Sequence, residues 1–190
     1  MAELIAVVGE SGSGKSTLVK MLLRYIETSY GNLSIAGIDI NHYHLENIRS
    51  NITYVTSNEY LFTDTLQNNI KLYKEVSEED YQKACKICLV DEIVMNNLTK
   101  YNIMVEENGF NFSNGERQRI ILARSILRKS SIYIFDESFS GIDINKEKKI
   151  LENIFNFLKG KTIIVISHRF YNKILFDRVL KLEEGVLYVT

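Results

Sequence analysis

The chain has 190 residues, 45% hydrophobic and 25% charged, with a formal net charge of −1, the profile of one globular domain with a sizeable core. That near-neutral charge argues against nucleic acid as a partner, because such binders carry a strongly basic face. No apolar run approaches the roughly 20 residues of a membrane span, and the N-terminus lacks a signal-peptide pattern.

Leu4–Val8 is a short apolar run suited to a buried strand. It leads into Gly9-Glu10-Ser11-Gly12-Ser13-Gly14-Lys15-Ser16-Thr17, which fits G-x-x-x-x-G-K-[ST], a loop whose backbone N–H groups wrap a triphosphate. Leu18, Met21, Leu22 and Tyr25 then recur at helical spacing, predicting a helix that ends near Gly31. The strand–loop–helix context adds the helix's positive dipole end to the oriented amides. Lys15 has the length to reach the β- and γ-phosphates of a triphosphate, and the Ser16 hydroxyl is placed to ligate Mg²⁺.

Leu33–Gly37 alternates like a strand, with Gly37-Ile38-Asp39 as the turn after it. His42 and His44 fall in a polar connection without further ligands and read as surface residues. Leu45–Ser50 predicts a short helix and Ile52–Val55 a buried strand. Helical patterns follow over Thr65–Tyr73, Glu78–Met95 and Glu116–Leu127, with an irregular Asn96–Phe112 between the last two. Cys85 and Cys88 lie inside the second of these; no other pair completes a zinc site, and buried thiols in a reducing compartment are the expectation. Strands return at Ile132–Phe135 and Thr162–Ile166, separated by a helix over Lys146–Lys159. A hairpin, Val179–Leu182 and Val186–Val189, turns at Glu183-Glu184-Gly185. This alternation predicts an α/β fold, a mostly parallel sheet of the P-loop NTPase type, with ligands at its carboxyl edge.

Three further stretches carry chemistry. Ser131–Glu137 is an apolar strand ending in two acids. They are either surface caps or, beside a P-loop, Asp136 for the Mg²⁺ shell and Glu137 to orient or deprotonate the attacking water. Ser113-Asn114-Gly115-Glu116 is a capping box before an apolar helix, and a capped helix start beside a glycine is also an anion site. His168 ends the strand that begins at Thr162; it is structural, exposed, or in reach of the γ-phosphate or the lytic water.

In order and spacing these elements resemble the ATP-binding cassette (ABC) transporter ATPase domain. Phe112–Arg119 resembles the family signature, Ser140-Gly141-Ile142-Asp143 the D-loop, and His168 the switch histidine. Tyr54-Val55, Leu61-Phe62, Thr65-Leu66 and Asn69-Ile70 look most like exporter-type members, including peptide and bacteriocin exporters. The resemblance implies an α/β core over 1–57 and 129–190 with an inserted helical subdomain over 58–128. It implies a membrane transporter's ATPase at the cytoplasmic face, working with a transmembrane domain. It implies a head-to-tail dimer in which Ser113, Gly115 and Glu116, with Asp143 of the D-loop, close on the ATP held by Lys15 of a second ATPase domain.

The chain departs from the family pattern at three places. Ser57 stands where a glutamine links Mg²⁺ to the transmembrane interface, and its short side chain needs a bridging water; Asn58 or Glu59 substitutes if the loop shifts. Asn114 replaces the first signature glycine, where tolerance of positive φ preserves the turn while the side chain stands to crowd the partner's nucleotide. Only eight residues precede Gly9, so the strands and adenine-stacking aromatic of family members are expected to be missing, as in a trimmed piece of a longer polypeptide. The first two departures make a nucleotide-responsive binding module with little hydrolysis the second reading. A soluble ABC ATPase of DNA repair or ribosome work fits poorly, since only a compact insertion lies between Thr17 and Ser113.

Overall fold

The computed structural model describes residues 2–72, 74–95, 102–168 and 175–190. In chain order these form β1 (Leu4–Val8), α1 (Lys15–Leu22), β2 (Ser34–Ile35), β3 (Ile38–Asp39), α2 (Leu45–Asn51), β4 (Ile52–Thr56), β5 (Asp64–Thr65), α3 (Leu66–Lys71), α4 (Glu78–Ile87) and α5 (Asp91–Val94). There follow β6 (Met104–Val105), α6 (Asn114–Ile126), β7 (Ile132–Asp136), α7 (Ile144–Phe157), β8 (Thr162–Ser167), β9 (Arg178–Glu183) and β10 (Val186–Val189). They divide into two compact units, one of residues 1–54, 130–137 and 160–190, the other of 55–129 and 138–159.

The first unit is built on a six-stranded sheet in the order β10-β9-β1-β8-β7-β4. β9, β1, β8 and β7 run parallel, and β10 returns antiparallel on β9. The parallel strands read LIAVV, TIIVIS and IYIFD, near-continuous apolar runs that suit burial on both faces. One core gathers Val7, Ile134 and Ile166 from the sheet, Val19 and Leu23 from the α1 region, and Ile40, Ile48 and Ile52.

The long first helix expected to run to Gly31 stops at Leu22. Arg24 takes a left-handed φ of 49°, and the amides of Arg24 and Tyr25 bond back to Met21 and Lys20, the paired bonds of a Schellman stop. The Arg24 guanidinium then donates to the Tyr43 carbonyl at 2.8 Å, so tertiary partners hold a residue that has no local reason to end a helix. The turn expected at Gly37-Ile38-Asp39 lies one step earlier. Ala36 and Gly37 both have positive φ, and Ile38-Asp39 is the return strand pairing with Ser34-Ile35.

In the second unit α6 packs against α3 and α4, and α4 also against α7. Residues 138–159 group here through that packing, through Asn153 donating to the Ile87 carbonyl at 3.2 Å and through the Lys146–Glu92 ion pair at 2.6 Å. The single helix expected over Glu78–Met95 is broken. Leu89 is left-handed, and the amides of Leu89 and Val90 bond to Lys86 and Cys85. That second Schellman stop turns Cys88, Leu89 and Val90 into the core. Cys85 and Cys88 are free and buried; burial pushes the Cys85 thiol up to about 12, as expected of inert structural thiols. Of the helix expected over Thr65–Tyr73, Leu66–Lys71 is seen, and Tyr73 lies outside the described residues.

The β9–β10 turn is made by Glu184 and Gly185, both at positive φ and both exposed. A two-residue turn of this kind favours Asn-Gly. Glu184→Asn is therefore expected to stabilise the chain by about 0.5–1 kcal/mol, read as a higher urea midpoint at unchanged slope.

Candidate active site

β1 delivers Gly9 to a spot where a side chain cannot fit: a Cβ there would run into the Leu182 carbonyl oxygen of β9 and sit 2.8 Å from Ser13 Oγ. Gly12 and Gly14 have φ of 82° and 105°, the region open to glycine. Gly14 is the N-cap of α1 and supplies no side-chain cap, so the first-turn amides keep their hydrogen-bonding capacity for a ligand. Lys15 folds back over the loop, its Nζ donating to the carbonyls of Gly9 and Glu10 at 2.7 Å each. Ser11, Ser16 and Thr17 are exposed. Ser13 Oγ is buried without a hydrogen-bond partner among the described residues.

β7 carries Asp136 to its carboxyl end. The Tyr54 hydroxyl, on the neighbouring β4, donates to Asp136 Oδ2 at 2.9 Å. Burial raises the Asp136 carboxyl; the Tyr54 hydrogen bond opposes this, the Glu137 charge adds to it and the Lys15 ammonium opposes it. Burial, and then Asp136 itself, raises the Tyr54 hydroxyl far above the ordinary tyrosine range.

Glu137 leaves the strand in a left-handed conformation, φ 51°, a costly one for a residue with a long side chain. Its amide donates to the Ile166 carbonyl of β8 at 3.0 Å, and its Oε1 accepts from the His168 amide at 3.1 Å. Oε2 lies 2.9 Å from His168 Nδ1, in a contact whose geometry is that of an ion pair. The first unit thus brings together Gly9 to Thr17, Asp136, Glu137 and His168. His42 and His44 are exposed, as expected.

In the second unit Ser113 caps α6 through the anticipated capping box: its Oγ accepts from the Glu116 amide at 3.3 Å, and its amide donates to Glu116 Oε2 at 2.8 Å. Gly115 faces the Gly141 carbonyl so closely that a Cβ would come within 2.7 Å of it. Gln118, 2% exposed, accepts from the Gly141 amide at 2.8 Å and donates to Ser140 Oγ at 3.2 Å. Asp143 caps α7, accepting from Asn145 and Lys146. Asn114 is the first residue of α6 and not a positive-φ position, so tolerance of left-handed backbone is not what admits it there. Its side chain accepts from Arg117 at 3.3 Å and lies against Gly141. Ser57 is half-buried in the turn after β4, and Glu59 is engaged by Arg124 at 3.8 Å.

The first unit fits a nucleotide with its cation. The loop combines a glycine cradle, an orphaned buried hydroxyl and an ammonium held by exchangeable carbonyls. Among the described residues no cluster of three or more His, Cys, Asp or Glu exists to cage a metal. One carboxylate, one hydroxyl and substrate phosphates are the ligand set Mg²⁺ accepts. Sequence reading singled out Ser13, Lys15, Ser16, Asp136, Glu137 and His168, and gave no role to Tyr54 or Gln118. They stood there only within the Tyr54-Val55 and Phe112–Arg119 stretches that carry the resemblance, because their partners lie 82 and 23 residues away.

A mostly parallel sheet with this loop between β1 and α1, and acids at the end of β7, defines a P-loop NTPase. Residues 1–140 match the family described as ABC transporter. Over 183 residues the chain is 34% identical to the ATP-dependent lipid A-core flippase of Vibrio vulnificus strain CMCP6, covering 95% of this chain and 31% of that protein. It is 40% identical over 186 residues to the Lactococcin-G-processing and transport ATP-binding protein LagD of Lactococcus lactis, covering 96% of this chain and 26% of the other. A solved bacterial Atm1-family ABC exporter with ATP bound matches with a TM-score of 0.88 at 30% identity, over 96% of this chain and 32% of that one. The chain belongs to the ABC transporter family, as an ATPase domain with exporter-type homologues. It spans about a third or less of the length of the relatives it matches. Among the described residues no helix is long and apolar enough to cross a membrane.

Because the folded state raises the Asp136 pKa above its ordinary 3.8, folding favours its protonated form. Its stabilising contribution is complete below that ordinary value and lost as pH rises through the raised one. Asp136→Asn is accordingly expected to raise the thermal midpoint of the nucleotide-free, metal-free chain at pH 7 by a few degrees and to flatten its pH dependence on the acid side.

Proposed function

We propose that this chain binds ATP with Mg²⁺ and hydrolyses it as the driving domain of an ABC exporter, at the cytoplasmic face of a membrane. The observation that carries the reading is the Glu137–His168 pair at the carboxyl end of the sheet that also supports the Lys15 loop. Relatives named as flippase and transport proteins support the export direction.

In this reading the amides from Gly9 through Ser11, Gly12, Ser13 and Gly14 to Thr17 surround the phosphates at the positive end of α1. Lys15 exchanges its two carbonyl partners for β- and γ-phosphate oxygens. Ser16 and Asp136 would hold Mg²⁺, which when bound would neutralise the charge on the phosphates. Glu137 orients the attacking water and takes its proton. His168, 2.9 Å from that carboxylate, keeps it turned toward the reacting end and stands within reach of the γ-phosphate. Ser57, in the place of the family's glutamine, acts through a water.

Ser113, Gly115 and Glu116 at the start of α6, with Asp143 beside them, serve the ATP of a second ATPase domain in a head-to-tail dimer. The γ-phosphate supplies the charge that binds that helix end, so ATP joins the two domains and hydrolysis loosens them. A transmembrane domain, in the same or a separate chain, converts that cycle into transport.

Steady-state ATPase of the full-length protein is the test. Lys15→Ala and Glu137→Gln are each expected to lower turnover by about a hundredfold or more, with ATP binding retained in Glu137→Gln. Turnover untouched by either substitution overturns the assignment. Binding without hydrolysis in a single-turnover experiment identifies a nucleotide-responsive module instead.

A further inference from the structure

We propose that Tyr54 is a positioning residue for Asp136: its hydroxyl pins one carboxylate oxygen so that the carboxylate meets the cation in a single orientation. The inference rests on the reading that Asp136 holds Mg²⁺ and adds a residue to that site.

Three observations carry it. First, the bond is direct, with Tyr54 Oη donating to Asp136 Oδ2 at 2.9 Å, and a donor to an ionised carboxylate is among the stronger hydrogen bonds. Second, the two residues sit on neighbouring strands, Tyr54 midway along β4 and Asp136 at the carboxyl end of β7. The sheet therefore sets their separation, and a rigid ring with one polar atom reaches across. Third, the described residues offer no group of three His, Cys, Asp or Glu around a cation. A site with so few protein ligands depends on its carboxylate being turned correctly before the metal arrives, because the carboxyl torsion of an aspartate is broad. Partners that orient a metal ligand typically change metal affinity by about ten- to a hundredfold when removed.

Tyr54 also stands three residues before Ser57, on the strand that leads into its turn. Its hydroxyl gives the strand leading into that turn a bond to the metal-holding acid that does not pass through Ser57.

The test compares the full-length protein with its Tyr54→Phe, Asp136→Asn and double variants, titrating ATP calorimetrically in EDTA and in Mg²⁺. The ratio of the two dissociation constants measures what the cation adds. Tyr54→Phe is expected to lower that ratio about tenfold, while ATP affinity in EDTA stays within twofold and the nucleotide-free thermal midpoint within a few degrees. The double variant should lose no more of the ratio than Asp136→Asn alone, because the hydroxyl acts through that carboxylate. Electron paramagnetic resonance of Mn²⁺ with ATP supplies a spectroscopic readout, with a broader signal in Tyr54→Phe. An unchanged ratio in Tyr54→Phe, an equal loss with and without cation, or additive losses in the double variant overturns the positioning role and leaves the site standing. A wild-type chain that gains nothing from Mg²⁺ overturns the site itself.

Discussion

Lys15 is a buried ammonium, 8% exposed, and a buried charge without acceptors is expensive. Its two bonds to Gly9 and Glu10 meet that requirement with the loop's own backbone, and the rest of the first unit's site depends on it. The carbonyls must curl toward the lysine, which turns the loop's amides the other way. Only glycine permits the curl, at φ of 82° and 105°, and only glycine at position 9 permits β9 to run as close as it does. The sheet order places β9 beside β1, so the topology of the whole unit presses on the loop from behind. The ammonium's acceptors are thus grouped around it by the loop itself.

The acid end of the sheet works differently. Asp136 is still a strand residue, and its raised pKa records the cost of holding a carboxylate half-buried. Glu137 is one residue further, and the chain reverses there through a left-handed φ. That strain is offset by a backbone bond to Ile166 and by the double contact with His168. Two adjacent acids are thereby sent to different partners, Asp136 to a phenol and Glu137 to an imidazole. Environments that separate neighbouring carboxylates are how two chemical roles are assigned to one residue type.

The second unit is organised by close backbone approach. Gly115 faces the Gly141 carbonyl without room for a Cβ, the Asn114 and Gln118 side chains take up the space beside Gly141, and Gln118 accepts from the Gly141 amide. Further along α6, the buried Arg124 donates to the carbonyls of Asn69 and Tyr60 and to Asn69 Oδ1. One helix thus holds the 140–141 segment near its start and the 60–69 segment near its end. Within this unit, displacement of either segment bears directly on the helix that carries Ser113.

Much of this was legible in the residues. The glycine loop, the acid-ended strand, the capping box and the alternation of strands and helices are local patterns, and each depends on neighbours a few residues away. The breaks after Leu22 and Ile87 were not legible, because Arg24 and Leu89 are not residues that ordinarily take left-handed backbone. Long-range partners hold Arg24 there, and burial of the chain around it holds Leu89. Tyr54 illustrates the same division at the site. Sequence alone singled out a glycine-rich loop ahead of a helix and a strand ending in two acids, since spacing along a strand or helix is set by backbone geometry. Which hydroxyl meets Asp136, and which imidazole meets Glu137, was decided only when the sheet brought β4, β7 and β8 side by side. Strand order is a property of the whole packed unit, and no local stretch encodes it.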